Sequence, residues 1–428
     1  MSTLWKRLLP QSSTFLSKFF PTFYKYYELS FRNSKNENIA LKQMSTFFSF
    51  QTTPLFYDIL SRYHSFPDPS YDWVYSNMTH VDRDQVLAGT YYIQHKIWEN
   101  QHPPDCSKAR FLFVSVTTWG LGSQLHRLGS FLGAALDHQL VLAYYPVKTQ
   151  WIDPSFCSID TYDCYFEPLT HCSFDQTFYT QLDKAHVCVL HDLNDLNHDR
   201  PSCQYYVLQD PIKYGHYFHH VPFLVQTLFK GQHYEQAQSV LYWRTQALTY
   251  LVRYNKRTLE WTEAYYKTNC VHCSSSTYDF AIHIRHGDKG KEMTLLPAED
   301  YDVPLRLIAK MTHMNCTAFS IYLRADDEAS LDYFRRLYPS LAFLQQEKSS
   351  TDVNAVPHIM LVSLANLRQQ IRGLHTIGTF SSNWVRVIYE LKSTVGYLNN
   401  GYYLEVGDFQ CIPYRRCMNS IRIPWRFF

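Results

Sequence analysis

Residues 280–292, FAIHIRHGDKGKE, run from an apolar stretch into a dense charged cluster: His283, Arg285, His286, Asp288, Lys289 and Glu292. Side chains alternate along a strand, so His283 and Arg285 share one face of the strand's end. An arginine there can clamp a pyrophosphate through paired hydrogen bonds, and Asp288 can orient it. The triplet Arg285-His286-Gly287 also fits a second chemistry, in which the histidine takes up a phosphoryl group. A third reading needs no ligand, only an ion-pair network at a strand end.

Three more clusters could act on a ligand. Asp326-Asp327 follows the apolar run SIYL. A carboxylate at a strand end can accept two hydrogen bonds from guanine, although aspartate is also a common helix cap. In Thr379-Phe380-Ser381-Ser382, hydroxyls and the free N–H groups of a helix start form an anion site, unless the serines only cap. The segment Trp119-Gly120-Leu121-Gly122-Ser123-Gln124 has two glycines that let the backbone approach a ligand closely. It lacks the third glycine of a dinucleotide fingerprint. Cys270-Val-His-Cys273 reads as a disulfide or loop thiols, because a zinc site needs a matched second pair.

These clusters need a scaffold. Residues 81–100 read as a helix stopped by Pro103 and Pro104. RFLFVSVTT, the helix pattern after Gly122 and LVLAYYP make a βαβ unit. Residues 150–235 read as mostly loop, and SVLYWRTQALTYLVRYNKRTLEW as one long helix. Four strand–helix pairs follow: FAIHI, FSIYL, LAFL and HTIGTF, each with its helix. Such a succession predicts a doubly wound parallel sheet, which binds ligands at the carboxyl ends of its strands. The first 70 or so residues read as an irregular stem.

Composition narrows the class. With 46% hydrophobic and 18% charged residues the chain is globular. A net charge of +2 gives no general field for nucleic acid, so any phosphate site is local. Its 34 tyrosines pack a core or line a sugar-binding surface. Eleven cysteines suit an oxidising compartment. The apolar N-terminal stretch is broken by Lys18, Pro21 and Lys25, so it is too short to span a membrane.

Taken in order, six segments resemble the α1,6-fucosyltransferases of glycosyltransferase family 23, the core N-glycan type. DCSKARFLFVSVTTWGLGSQLHRLGSFL is similar to that family's DCSKA segment and Gly-rich helix start. FEPLTHC, YWRTQALTYLVR, HIRHGDKGKE, IYLRADD and TFSSNWVRVIYEL are similar to five more of its motifs. A histidine phosphatase carries its triplet near the start of its domain, whereas here it begins at residue 285.

The resemblance implies a GT-B-like α/β fold: an open α/β domain facing a Rossmann-like nucleotide-sugar domain. The implied division is 1–75 stem, 76–275 first domain with acceptor-side loops, 276–395 GDP-sugar domain and 396–428 short tail, with the family's SH3-like domain absent or vestigial. It implies inverting, metal-independent transfer of L-fucose from GDP-fucose to a hydroxyl, O6 of a GlcNAc in an N-glycan core, in the Golgi or secretory lumen. No cofactor is expected, a homodimer stays open, and the alternatives are an O-linked or chito-oligosaccharide acceptor or a silent glycan-binding scaffold. Arg285, Ser381, Ser382 and Phe380 would hold the diphosphate end of the donor. His283 and Asp326 would read guanosine, Glu292 would act as base, and Gly120, Leu121 and Gly122 would close on the donor. Lys289 and Tyr301 match further substrate-side positions, and Asp288 belongs to the same motif. Cys106 and Cys172 match family cysteines that pair. Other family cysteines are missing around the Gly-rich loop, which implies a looser loop.

Overall fold

The computed structural model describes residues 62–73, 86–87, 89–182, 187–198, 203–208, 220–230, 235–273, 277–286, 290, 295–312, 315–345, 358–379, 382–395 and 403–406. Helix α1 (Thr90–Gln101) is preceded by Gly89 at φ 80°. That left-handed residue sets the helix start later than the expected residue 81. Strand β1 (Phe111–Ser115), helix α2 (Leu121–Asp137) and strand β2 (Val141–Tyr145) form the expected βαβ unit.

The region expected to be loop contains α3 (Gln176–Leu182), β3 (Val187–Leu190), β4 (Tyr205–Leu208) and α4 (Phe223–Phe229). Its two strands complete a parallel sheet in the order β2-β1-β4-β3. Each strand has only four residues, too few for an alternation to stand out. A Cys188–Cys203 disulfide ties them.

The single long helix expected next is two, α5 (Glu235–Leu251) and α6 (Lys256–Asn269). Asn255 makes the break. Its Oδ1 accepts from the Thr258 N–H at 2.9 Å, capping α6, while its amide donates to the Cys164 carbonyl at 2.9 Å.

The second half runs β5 (Cys270–Val271), β6 (Tyr278–Ile284), α7 (Ala298–Thr312), β7 (Ile321–Ala325), α8 (Glu328–Leu337), β8 (Phe343–Leu344), α9 (Ile359–Gln370), β9 (Gly373–Gly378), α10 (Asn383–Lys392) and β10 (Tyr403–Glu405). Its sheet is parallel, in the order β10-β9-β6-β7. The LAFL strand meets that sheet only at Ala342, which bridges Tyr322 of β7 in parallel; β8 then pairs antiparallel with β5 in a separate ribbon. The fourth place is taken by β10, from the stretch expected to be tail. Two parallel sheets clad in helices make up the GT-B-like α/β body.

One large core joins the halves. It holds Leu112, Leu128 and Leu142 of the first half together with Leu361, Leu364, Val387 and Ile388 of α9 and α10. Tyr71 and Trp73 also lie in it, fully buried, with Trp73 stacked on Tyr254 at 4.0 Å. Residues 66–73 therefore belong to the folded body and not to a stem. A smaller core under the second sheet contains Phe280, Ile282, Leu323 and Phe334.

Among the described residues four disulfides are formed: Cys106–Cys172, as the resemblance implies, then Cys157–Cys164, Cys188–Cys203 and Cys270–Cys273. The small loop expected from CIPYRRC, residues 411–417, lies outside the described residues. Among the described residues no helix is long and apolar enough to cross a membrane.

Candidate active site

The carboxyl ends of the two sheets meet. Gly122, at the start of α2, lies so close to α10 that a Cβ there would sit 2.9 Å from the backbone of Asn383 and Trp384. Asn383 Nδ2 donates to Ser123 Oγ at 2.6 Å, and deeper in the seam buried His126 and Glu390 pair at 2.7 Å. Burial opposes the Glu390 charge, yet His126, Arg244 and Arg386 hold its carboxyl below the ordinary value. The N-termini of α2 and α10 thus lie side by side, and both helix dipoles present their positive ends there.

Beside this junction, β6 delivers His283 and Arg285, and β7 delivers Arg324 and Asp326. Arg285 Nη1 meets Asp326 Oδ2 at 2.5 Å, and Arg324 Nη2 lies 3.9 Å from the other carboxylate oxygen. Burial raises the Asp326 pKa, but the two arginines outweigh it and hold the carboxyl below its ordinary range. The adjacent aspartates divide the two readings open in the sequence. Asp327 caps α8, accepting from Ser330 N–H at 2.8 Å, and Asp326 faces the arginines.

His283 is 4% exposed, and burial lowers its pKa to about 3. Its Nδ1 lies 3.3 Å from Gln370 Nε2, and its Nε2 has no hydrogen-bond partner. Thr379 Oγ1 is likewise buried without a partner, and Ser382, 1% exposed at the start of α10, makes no side-chain cap. Two polar atoms at strand ends, His283 Nε2 and Thr379 Oγ1, are therefore not used to hold the fold.

His286 is held on both ring nitrogens, Nδ1 by Asp327 at 2.7 Å and Nε2 by the Leu296 carbonyl at 2.7 Å. A histidine that attacks phosphorus needs a free nitrogen, so this geometry does not suit a phosphoryl acceptor.

Other expected residues fall differently. Asp288, Lys289, Glu292, Phe380 and Ser381 lie outside the described residues. Leu121 is 4% exposed and packs in the main core, so its side chain does not reach a ligand; Tyr301, 1% exposed, packs in the second core. At Gly120 a Cβ would meet nothing within 4 Å, but the close approach of Gly122 is to α10. The loop between β1 and α2 is held without cysteines. Gln124 accepts from Thr117 N–H at 2.7 Å and donates to the Trp119 carbonyl at 2.8 Å. Trp151 and Gln150 donate to the Trp119 and Thr118 carbonyls. Cys106, His171 and Cys172 lie within metal-binding reach, but the two sulfurs are bonded to each other.

No family model matches the chain. Fucosyltransferases are among the solved structures it is similar to. NodZ from Bradyrhizobium is 15% identical over 66% of this chain and 93% of that one, with a TM-score of 0.37. The NodZ α1,6-fucosyltransferase soaked with GDP-fucose gives the same values. A variant of Arabidopsis thaliana FUT1 in complex with GDP is 11% identical over 83% of this chain and 80% of that one, with a TM-score of 0.41. At this distance the likeness assigns no substrate.

Sequence reading missed Gln370 and Trp384. Gln370 is fully buried, and its Oε1 accepts from the Trp384 indole N–H at 2.9 Å. Neither residue stands in a strand-end cluster, and nothing in the local pattern marks them.

Proposed function

We propose that the chain is an inverting glycosyltransferase that moves L-fucose from GDP-fucose to a sugar hydroxyl, O6 of a GlcNAc in an N-glycan core. The observation that carries the reading is the group at the ends of β6 and β7: buried neutral His283 with an unpaired ring nitrogen, an ionised Asp326 and Arg285. Guanine offers N1–H and its exocyclic amine to a carboxylate and a carbonyl oxygen to an N–H donor. Asp326 and His283 match that pattern, and Arg285 can leave Asp326 for the diphosphate. The paired N-termini of α2 and α10, with Ser382, would carry the rest of the leaving group's charge without a metal.

In this reading the acceptor oxygen attacks C1 of fucose from the face opposite GDP. Glu292 takes the hydroxyl proton as the C1–O bond to GDP breaks. The assignments of Glu292, Lys289, Asp288 and Ser381, and of the acceptor, rest on the order of sequence motifs. The four disulfides support an oxidising, lumenal setting.

The test is calorimetric titration of GDP in EDTA, with Arg285→Ala alongside. Wild-type binding in the micromolar range, weakened about ten- to hundred-fold in the variant, is expected for loss of charge-assisted hydrogen bonds to phosphate. No wild-type binding would overturn the donor assignment. Incubation with GDP-fucose and a core N-glycan then reads the acceptor from the product's linkage.

A further inference from the structure

His283 does not choose its own tautomer. An indole N–H can only donate, so the atom of Gln370 facing Trp384 Nε1 at 2.9 Å must be the carbonyl Oε1. The indole therefore fixes the orientation of the amide. The other end of the amide, Nε2, can only donate, and it faces His283 Nδ1 at 3.3 Å. Nδ1 must accept, so in a neutral ring the proton sits on Nε2. All three side chains are settled in place: Gln370 is fully buried, His283 is 4% exposed, and Trp384 is the second residue of α10. Burial keeps the ring neutral, with its pKa at about 3, and Arg324 and Arg285 add to the effect against the pull of Asp326.

The relay ends on an N–H that is buried and has no acceptor. An unpaired buried donor is destabilising, and a ligand oxygen placed there would relieve it. We propose that Gln370 and Trp384 are positioning residues that hold His283 as the Nε2–H tautomer, so that the site accepts a purine diphosphate with a keto oxygen at C6 and rejects one with an amino group there. This rests on the nucleoside diphosphate reading above. An adenine would set its N6–H groups against the His283 N–H, donor against donor, whereas guanine and hypoxanthine both present an acceptor.

Two measurements test it. The first reads the tautomer of ligand-free protein by histidine side-chain 15N NMR at neutral pH, with the His283 signals assigned by their loss in His283→Gln. The second is calorimetry with GDP, IDP and ADP on wild type, Trp384→Phe and Gln370→Glu. Trp384→Phe keeps the ring's bulk and frees Gln370 to turn. Gln370→Glu leaves only acceptor oxygens facing Nδ1 and drives the proton there.

The expected results are an Nε2–H signature in wild type, a mixture in Trp384→Phe and the Nδ1–H form in Gln370→Glu. The preference for GDP and IDP over ADP should exceed thirty-fold in wild type and narrow at least ten-fold in Gln370→Glu. Should Gln370→Glu fail to fold, Trp384→Phe carries the test through its tautomer mixture and a smaller narrowing. An Nδ1–H signature in wild type, or unchanged tautomer and selectivity in the variants, would overturn the relay. Wild-type protein with the Nε2–H signature but no GDP binding would sink the donor reading, and with it the ligand half of this proposal.

Discussion

At the carboxyl end of β1 the polar groups of the loop are used up by the protein, whereas at the carboxyl ends of β6 and β9 they are left over. Gln124, Gln150 and Trp151 take up the main chain of residues 117–119. Across the seam, His283 Nε2 and Thr379 Oγ1 are buried without partners, and two arginines converge on Asp326. The covalent staples divide the same way. Three disulfides lie between residues 106 and 203, and the second half's described pair, Cys270–Cys273, sits at its margin. One half is built as a tied scaffold. The other keeps, at its strand ends, two buried polar atoms without partners. Unsatisfied buried atoms also occur in the first half, at Tyr71, Arg127, Tyr144 and Tyr162, so what marks His283 Nε2 and Thr379 Oγ1 is their place at the strand ends of a parallel sheet and not their number.

The strongest way to break this comparison is to cut the staples. Replacing Cys106 and Cys172 by serine opens a loop with a sequence separation of 66, for which chain entropy gives a loss of about 4 kcal/mol. Replacing Cys270 and Cys273, three residues apart, should cost about 1.5 kcal/mol on the same argument. Denaturant unfolding of the two double variants measures both. Equal losses would show that the halves are not differently tied. GDP affinity at a temperature where both are folded should stay within three-fold of wild type, because neither bridge touches the strand ends of the second sheet.

A smaller effect is expected at the seam, where the two glycines of one motif part company. Gly122→Ala pushes a methyl to 2.9 Å from the backbone of α10, and since backbone cannot swing aside the cost is about 2 kcal/mol. Gly120→Ala enters open space at φ −56°, a conformation any residue adopts, and should change stability by less than about 0.5 kcal/mol. If the paired helix N-termini hold the donor's phosphates, Gly122→Ala also weakens GDP binding and Gly120→Ala does so less. Equal effects on stability would mean that the approach of α2 to α10 is not what Gly122 serves.

Much of this layout was legible in the sequence. The long apolar runs gave β1, β2, β6 and β7 because a buried parallel strand must be apolar on both faces. His283, Arg285 and Asp326 were found because strand ends in such sheets are where polar residues have a reason to gather. What stayed hidden depended on distant partners. Strands β3 and β4 are short and tied by a disulfide, the LAFL segment keeps one parallel bridge to β7 at Ala342 before β8 turns to β5, and β10 came from a stretch with no clear pattern. Tyr71 and Trp73 looked like stem residues until Tyr254, far along the chain, supplied a partner. Gln370 and Trp384 matter through the proton they place on another side chain, and no spacing rule records that.

Lys392 offers the finest probe of the seam. It lies in the last turn of α10, 3% exposed, with Nζ donating to the Leu374 carbonyl at 2.8 Å and Thr376 Oγ1 at 2.9 Å. Burial lowers its pKa to about 7. The unfolded chain keeps the proton to about pH 10.4, so between pH 7 and 9 it holds more protons than the folded chain. Stability then rises with pH across that window, by about 1.4 kcal/mol per unit at most. His375, lowered to about 4 by burial, titrates below it; Asp163, raised to about 7 by burial, opposes the slope at the lower edge of the window, so the Lys392 share is the difference between wild type and the variant that lacks it. Lys392→Met should flatten the slope measured by urea unfolding at pH 7, 8 and 9, and raise stability most at pH 7. An unchanged slope would mean that water reaches Nζ and keeps it charged. The second half's buried charge would then be solvated through the seam, and the contrast with the tied first half would need a different cause.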